Sequence, residues 1–534
     1  MISSGPEPAL GDRPASDRGA PRDGDEGAEA GARRPPEGSR PSLHPSLRRW
    51  GPGALELCVS LAAAGALAAS GLAIRVDPLD RVGQVSALAG IGFRYVVAGL
   101  VGVALLSAAS RIRAGAGFDL AFRLACGALA GLTTGFIAAG IVVALRGTPW
   151  CLNGNLGDTG RLAAWAAAAQ HGERFPFYPP LPVHTLALYA SAFDLEPVFA
   201  IKHLQIIGTA LVGPFAYASW RLLLNPLWAL GIGVVSALSL IDPYKPYANM
   251  VLIALVPWLV LFFGRMRAAG ALGPRRVVLE GALFGAGFGL LYLWYYGWFQ
   301  WSAPGAVAAA LVLFPWRSAG ARVQAAGFVG STTLVFAAIA GRLVWRALSE
   351  GFNDDYFYFD TRIDPSYFAM WLWDLPGPVG TWPPPGEVGG VGLFTLLLAA
   401  GMGVAIARGR RHVLVTTLGC IIGGAWLLRL GYAQHMWETK LVQLYPRTSI
   451  ELFYCALVLS GYALYLVLER PRPDAERTRS AGQSPLPSTR FGAFCALLLV
   501  FGSAASALTD RYMPAREKPA SLRILAWNAH HMEP

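Results

Sequence analysis

Apolar runs of about 20 residues recur along the chain from Gly53 to Leu508, separated by short polar or arginine-bearing breaks. The alternation predicts spans at 53–74, 85–108, 120–144, 200–220, 225–241, 249–265, 278–298, 303–316, 324–346, 390–407, 413–430, 449–468 and 491–508, thirteen in all. A bilayer core offers no water to backbone groups, so each run is expected to satisfy its own amides as a helix. The predicted class is an all-α polytopic membrane protein whose transmembrane domain covers residues 51–508. One apolar piece, 181–195, has about 15 residues and is short for a crossing. It is expected to be an interfacial or re-entrant helix.

Composition supports the class and sets its limits. At 54% hydrophobic and 14% charged residues, with 17 Trp, the chain exceeds what a soluble core needs. Residues 1–50 differ: rich in Pro, Gly, Arg and acids and nearly free of aromatics, they are expected to form a disordered tail. No cleavable signal is expected, because the first apolar run follows "SLRRW" and leads to further spans. Cys58, Cys126, Cys420, Cys455 and Cys495 sit in apolar runs and Cys151 has no evident partner, so neither a disulfide framework nor a metal spacing is predicted. The net charge of +11 is spread in small arginine clusters between the runs. Orientation in a lipid bilayer explains it better than nucleic acid.

Positive-inside counting places "SLRRW", "RIR" at 111–113 and the clusters within 265–276, 317–322, 408–412 and 469–480 in the cytoplasm. A multi-pass plasma-membrane protein follows, with its N-terminal tail inside and a short tail, 509–534, outside. The outer face then carries the loops 75–81, 145–199, 242–249, 347–389 and 431–447 and the aromatic rim 291–301. All four lysines, Lys202, Lys245, Lys440 and Lys518, fall on that face, against the usual bias.

The long loop 145–199 contains "NGNLGDTGRLAAWAAAAQHGERFPFYPPLPVH". Asp158 stands where this segment turns helical, so its carboxylate fits either of two roles: an N-cap or a positioned base. "FPFYPP" likewise fits a simple helix start. The order of features favours chemistry: a carboxylate, Arg161 three residues on, a Tyr-Pro-Pro hinge, and then Lys202 and His203 opening the next span.

That order resembles the GT-C membrane glycosyltransferases that use polyprenyl-phosphate sugars. Residues 150–300, with "IDPYKPYANMVLIALVPWLVL" after the long loop, are similar to the membrane domain of the actinobacterial galactan 5-O-arabinofuranosyltransferase family. The likeness is weaker to about residue 470 and absent in the N-terminal tail. Position by position, it implies Asp158 as the catalytic residue, Arg161 as its arginine, Phe177 to Pro180 as the aromatic hinge and Lys202 as the helix-opening lysine. The chain departs from the family at Gly160, where a bulky residue is usual, at Leu181 and at His203. It also has about 26 residues after the last span, where the family carries a large extracytoplasmic domain. The resemblance implies a GT-C fold and inverting transfer of arabinofuranose from its decaprenylphosphoryl donor to a cell-wall polysaccharide of galactan type.

The chemistry required agrees with the residue types. An acceptor hydroxyl needs a base, for which Asp158 is the candidate. The departing lipid phosphate needs cations, for which Lys202, His203 and Arg161 are candidates. Tyr178, Lys245, His435, Lys440 and Arg447 are candidates for donor or acceptor contact. Asp354 and Asp355, in the aromatic stretch "NDDYFYFDTRIDPSYF", are candidates for sugar contact, and adjacent acids offer the oxygen ligands a divalent cation takes; a solvated acidic loop is the simpler explanation of them. No cofactor is otherwise implied. Arg94, inside a span, is read as functional or as a side chain that snorkels or packs to a partner, and His530 and His531 carry no role. A polyprenyl-phosphate-mannose transferase of the same architecture and a lipid-linked sugar flippase or transporter remain alternatives, and donor, acceptor, metal requirement and oligomeric state stay open.

Overall fold

A computed structural model describes residues 50–112, 116–175, 178–350, 355–357, 393–439, 441–443, 445–469, 487–516 and 522–533. The predicted tail, apart from Trp50, lies outside them. In chain order the helices are α1 (Trp50–Ser70), α2 (Arg81–Ile112), α3 (Ala116–Ala144), α4 (Asp158–Gln170), α5 (Pro180–Ala192) and α6 (Pro197–Arg221). Then come α7 (Pro226–Trp228), a wide π turn (Ala229–Val234), α8 (Val235–Leu238), α9 (Pro246–Ala268), α10 (Pro274–Trp294), α11 (Gly297–Leu313) and α12 (Ala319–Glu350). The remainder are α13 (Leu393–Gly409), α14 (Val413–Gln434), α15 (Met436–Thr439), α16 (Tyr445–Leu468), α17 (Pro487–Asp510) and α18 (Arg523–His530). Two short strands, β1 (Asp355–Phe357) and β2 (Leu441–Gln443), pair antiparallel with Asp355 opposite Gln443.

The protein is an all-α polytopic membrane protein. Among the described residues each of the thirteen predicted apolar runs overlaps helix, but ten helices are long and apolar enough to cross a bilayer. The other three runs are shorter or interrupted. The 226–238 segment is broken by the π turn, and α11 and α13 have 17 residues each. At 13 residues, α5 is also too short to cross a bilayer alone. It packs instead on α4 and α6 through Val183, Leu186, Ala187 and Ala190.

Small residues let the helices approach. Gly127, Gly131 and Gly135 form a stripe at every fourth residue of α3, facing Glu56, Ser60 and Ala64 of α1. A Cβ at Gly127 would lie 2.8 Å from the Glu56 carbonyl oxygen, and one at Gly135 would lie 2.7 Å from that of Ala64. The α1–α3 pair extends to α2, α6 and α17. The second half pairs α10 with α12, α11 with α14 and α13 with α16, and α9 touches members of both groups. Large apolar side chains left exposed, such as Val82, Phe93 and Leu100 on α2 or Leu279 and Leu283 on α10, are the surface lipid would cover.

One buried charge fastens the first group. Glu56 of α1 is 2% exposed, and its carboxylate accepts from Arg221 Nε of α6 at 2.8 Å and from the Tyr217 hydroxyl at 2.9 Å, and is paired with Arg123 of α3. Removing Glu56 leaves Arg123 and Arg221, 28% and 22% exposed, without their shared carboxylate. Glu56→Ala is therefore expected to destabilise the folded protein by about 3–5 kcal/mol, seen as a lower unfolding temperature in detergent, whereas Asp119→Ala, which breaks an exposed pair with Arg490, should barely register. Arg94 donates to the Gly90 carbonyl one turn back on its own helix, at 3.2 Å.

Candidate functional site

At one end of the bundle the segment after α3 is held before it turns into α4. The Lys202 ammonium, in the first turns of α6, donates to the carbonyls of Leu145 at 2.9 Å and Thr148 at 2.5 Å. These are carbonyls at and beyond the end of a helix, which otherwise lack partners. The following turn runs through the left-handed region at Asn153 (φ 70°), Gly154 (φ 59°) and Gly157 (φ 63°). Asn tolerates that conformation; at Gly157, with ψ −130°, a side chain would be strained.

Asp158 follows directly on this turn. Gly157 occupies the cap position and supplies no side-chain cap, and Asp158 is the first residue of α4. Its carboxylate is directed at Lys245, with which it forms an ion pair, rather than at the free amides of α4. The capping role considered from sequence is thus not the one observed. Gly160 faces the Asn155 carbonyl so closely that a Cβ would collide with it, which is the physical reason a bulky residue does not stand before Arg161 here.

Lys245 is delivered by the turn 242–245. The Asp242 carboxylate accepts from the Tyr244 amide at 3.0 Å, and the Lys245 amide donates to the Asp242 carbonyl at 3.2 Å. An aspartate that bonds its own backbone two residues on is a stable turn former, and Pro246 then starts α9. The Tyr244 hydroxyl accepts from the Asp158 amide at 3.2 Å. Gln205 of α6 ties the two segments together: its amide donates to the Tyr244 carbonyl at 3.1 Å and its oxygen accepts from the Leu152 amide at 2.9 Å.

An aromatic row joins Trp165 of α4 to Tyr247 of α9, the two helices that start at the ion pair. The Trp165 and Tyr178 rings are 4.7 Å apart, the Tyr178 and Tyr247 hydroxyls are 2.6 Å apart, and the Tyr247 and Tyr295 rings are 6.5 Å apart. The Arg447 guanidinium lies 5.0 Å over the Tyr295 ring. Burial, with the neighbouring Tyr247 hydroxyl adding to it, pushes the Tyr178 phenol well above its ordinary range. Tyr178 therefore works here as a neutral donor or acceptor.

Of the residues singled out from sequence, Asp158 and Lys245 are joined by the ion pair, and Tyr178 and Arg447 belong to the aromatic row. Arg161 is exposed on the first turn of α4. His203 meets the Tyr189 hydroxyl through Nδ1 at 3.2 Å, and His435 is an exposed partner of Glu438 at 3.7 Å. Asp355 contributes its backbone to β1. Asp354, Lys440 and Phe177 lie outside the described residues, as does most of the acidic loop considered for a divalent cation. Among the described residues no group of three or more His, Cys, Asp or Glu side chains could hold a metal ion. Sequence reasoning missed Tyr244, Tyr247, Asp242, Gln205 and Tyr295. The repeat Asp-Pro-Tyr-Lys-Pro-Tyr in 242–247 was the available signal, since two tyrosines flanking a lysine in a proline-stiffened turn point several polar tips one way.

Asp242 also makes the turn sensitive to pH. Its carboxyl is mostly out of solvent, and that burial lifts its pKa to about 6, against the pull of the Tyr244 and Lys245 amides. A carboxyl with a raised folded pKa binds more protons in the fold than when unfolded, so stability is greatest at low pH and falls as pH rises from about 4 through 6. Asp242→Asn should flatten that part of the stability–pH curve, measured as unfolding temperature in detergent across the range.

No family model matches the chain, and no curated protein matches it.

Proposed function

We propose that the protein is a membrane glycosyltransferase that moves a sugar from a polyprenyl-phosphate donor to a polysaccharide hydroxyl at the membrane surface, with arabinofuranose and a galactan-type acceptor as the preferred pair. The observation that carries this reading is the Asp158–Lys245 ion pair at the starts of α4 and α9, the two helices whose Trp165 and Tyr247 belong to the aromatic row that Arg447 caps. A carboxylate, two cations and stacked aromatics are the groups such a transfer needs, placed where a lipid headgroup would arrive.

In the proposed step the acceptor hydroxyl gives its proton to Asp158 as its oxygen bonds to the anomeric carbon. The bond from that carbon to the phosphate oxygen breaks, and the electron pair leaves with the polyprenyl phosphate. One displacement inverts the anomeric centre and needs no covalent enzyme intermediate. Lys245 and Arg447 stabilise the charge that grows on the phosphate, and each is worth more there than in water. With 45% of its side chain exposed, Asp158 is open to an acceptor, while Lys245 at 21% is more enclosed. The two carbonyls on Lys202 favour a loop-holding role for it over phosphate contact, and His203 stands beside it on the same helix.

The extracytoplasmic placement of this end follows from the arginine distribution and is part of the proposal. Purified protein given a radiolabelled donor and an oligosaccharide acceptor tests the reading: acceptor-dependent release of polyprenyl phosphate supports it. The π turn at Ala229–Val234 inside an apolar segment favours a second reading, a lipid-linked sugar transporter, since broken helices commonly line such pathways. Movement of the intact donor across a proteoliposome membrane without bond cleavage would establish that reading instead.

A further inference from the structure

The segment 522–533 is folded back onto the loop that leads to Asp158. The Asn153 amide donates to the Leu525 carbonyl at 2.7 Å, and Asn528 Nδ2 donates to Asn153 Oδ1 at 2.9 Å. The Thr148 hydroxyl donates to the Ala529 carbonyl at 2.7 Å, and a ring N–H of His530 donates to the Ala144 carbonyl at 2.8 Å. Met532 packs over Gly154 so closely that a Cβ at that glycine would fall 2.5 Å from its side chain. Arg523 anchors the start of the segment on Asp510, 2.5 Å from its carboxylate, and Asp510 is also held by Arg81 at 2.7 Å. From sequence His530 has no role; in the fold its ring holds the Ala144 carbonyl. Burial lowers the pKa of His530, which suits a neutral ring donating to a carbonyl.

We propose that α18 is the positioning element of the Asp158 loop, with Asn528 and the Leu525 carbonyl as its principal contacts. They grip Asn153, a non-glycine residue held at φ 70°, at the start of the turn that ends on Gly157 and Asp158. A left-handed residue persists only where its surroundings over-determine it, and of the four hydrogen bonds Asn153 makes, two are to Leu156 within the turn and two are to α18. The same stretch encloses Cys151, which is 0% exposed and whose thiol donates to the Gly154 carbonyl at 3.1 Å. Burial pushes that thiol up to about 12, so it reacts only when the loop opens. Asn528 is a positioning residue: it touches neither Asp158 nor the aromatic row, and acts through Asn153.

The inference rests on the proposed transferase activity for its catalytic half, and Cys151 supplies a readout that does not. A full-length chain in which Cys151 is the single cysteine is treated with a maleimide in detergent, alongside Asn528→Ala and a chain lacking 522–534. Asn528→Ala is expected to speed labelling about tenfold, and the truncated chain more, as loop opening becomes easier. Transfer by Asn528→Ala should show a kcat about tenfold lower with donor KM little changed, because the loop sets the base and not the donor cations. Asn153→Ala and Asn528→Ala should combine to little more than either alone. Unchanged labelling in both the Ala variant and the truncated chain overturns the inference. So does accelerated labelling with transfer intact. If no variant, the parent included, transfers sugar while labelling accelerates as expected, the loop-holding role stands and the transferase reading fails.

Discussion

Replacing Asp158 by Asn should lower transfer by about a thousandfold while the protein still folds and still binds donor. The size is that of a lost general base. Asn keeps the volume and one acceptor oxygen, so local packing is unchanged, but it takes no useful proton from an acceptor hydroxyl at neutral pH. The ion pair with Lys245 is also lost. With 45% of the Asp158 side chain exposed, that loss costs little stability, since solvent screens such a pair. A matching unfolding temperature with abolished turnover separates chemistry from folding. An Asn variant running near the parent rate would reduce Asp158 to an anchor for Lys245.

Lys245→Ala carries the second large expectation, a fall in kcat of about a hundredfold, the usual scale for removing one preorganised donor to a developing oxyanion. Lys245→Arg should recover part of it, because charge survives while geometry changes. Lys202→Ala makes the informative contrast. Its ammonium serves the Leu145 and Thr148 carbonyls, so its loss should loosen the loop and lower kcat with little change in donor KM. A donor KM that rises sharply for Lys202→Ala and not for Lys245→Ala would return the phosphate to Lys202.

The positions of the helices were legible because the signal is collective: each apolar run reports the same bilayer constraint many times over. Where the chain spends its constraint on something else, legibility drops. The 226–238 run is apolar enough for a span, yet its backbone widens into a π turn, which no periodicity in "PLWALGIGVVSAL" announces. Asp158 and Lys245 could each be picked out as unusual, but their pairing joins residues 87 positions apart by number, a distance across which a lone sequence carries no pairing information. The predicted placement of the lysines drew attention to Lys202. It did not reveal that a helix-opening lysine can be consumed by the carbonyls of the preceding helix. The role of α18 was hidden for a related reason: most of its contacts with the 144–154 stretch run through backbone amides and carbonyls, which every sequence has.

The central claim is that sugar leaves a polyprenyl phosphate at the Asp158 and Lys245 pair. It is tested most directly by giving purified protein decaprenylphosphoryl arabinose and polyprenylphosphoryl mannose, each labelled in the sugar, in parallel with a galactan oligosaccharide. The expected result is label from the arabinose donor in the oligosaccharide, polyprenyl phosphate released in equal amount, and neither product with Asp158→Asn. Label from mannose alone would keep the chemistry and change the donor. Transfer from neither donor, or undiminished transfer by the Asn variant, would contradict the account.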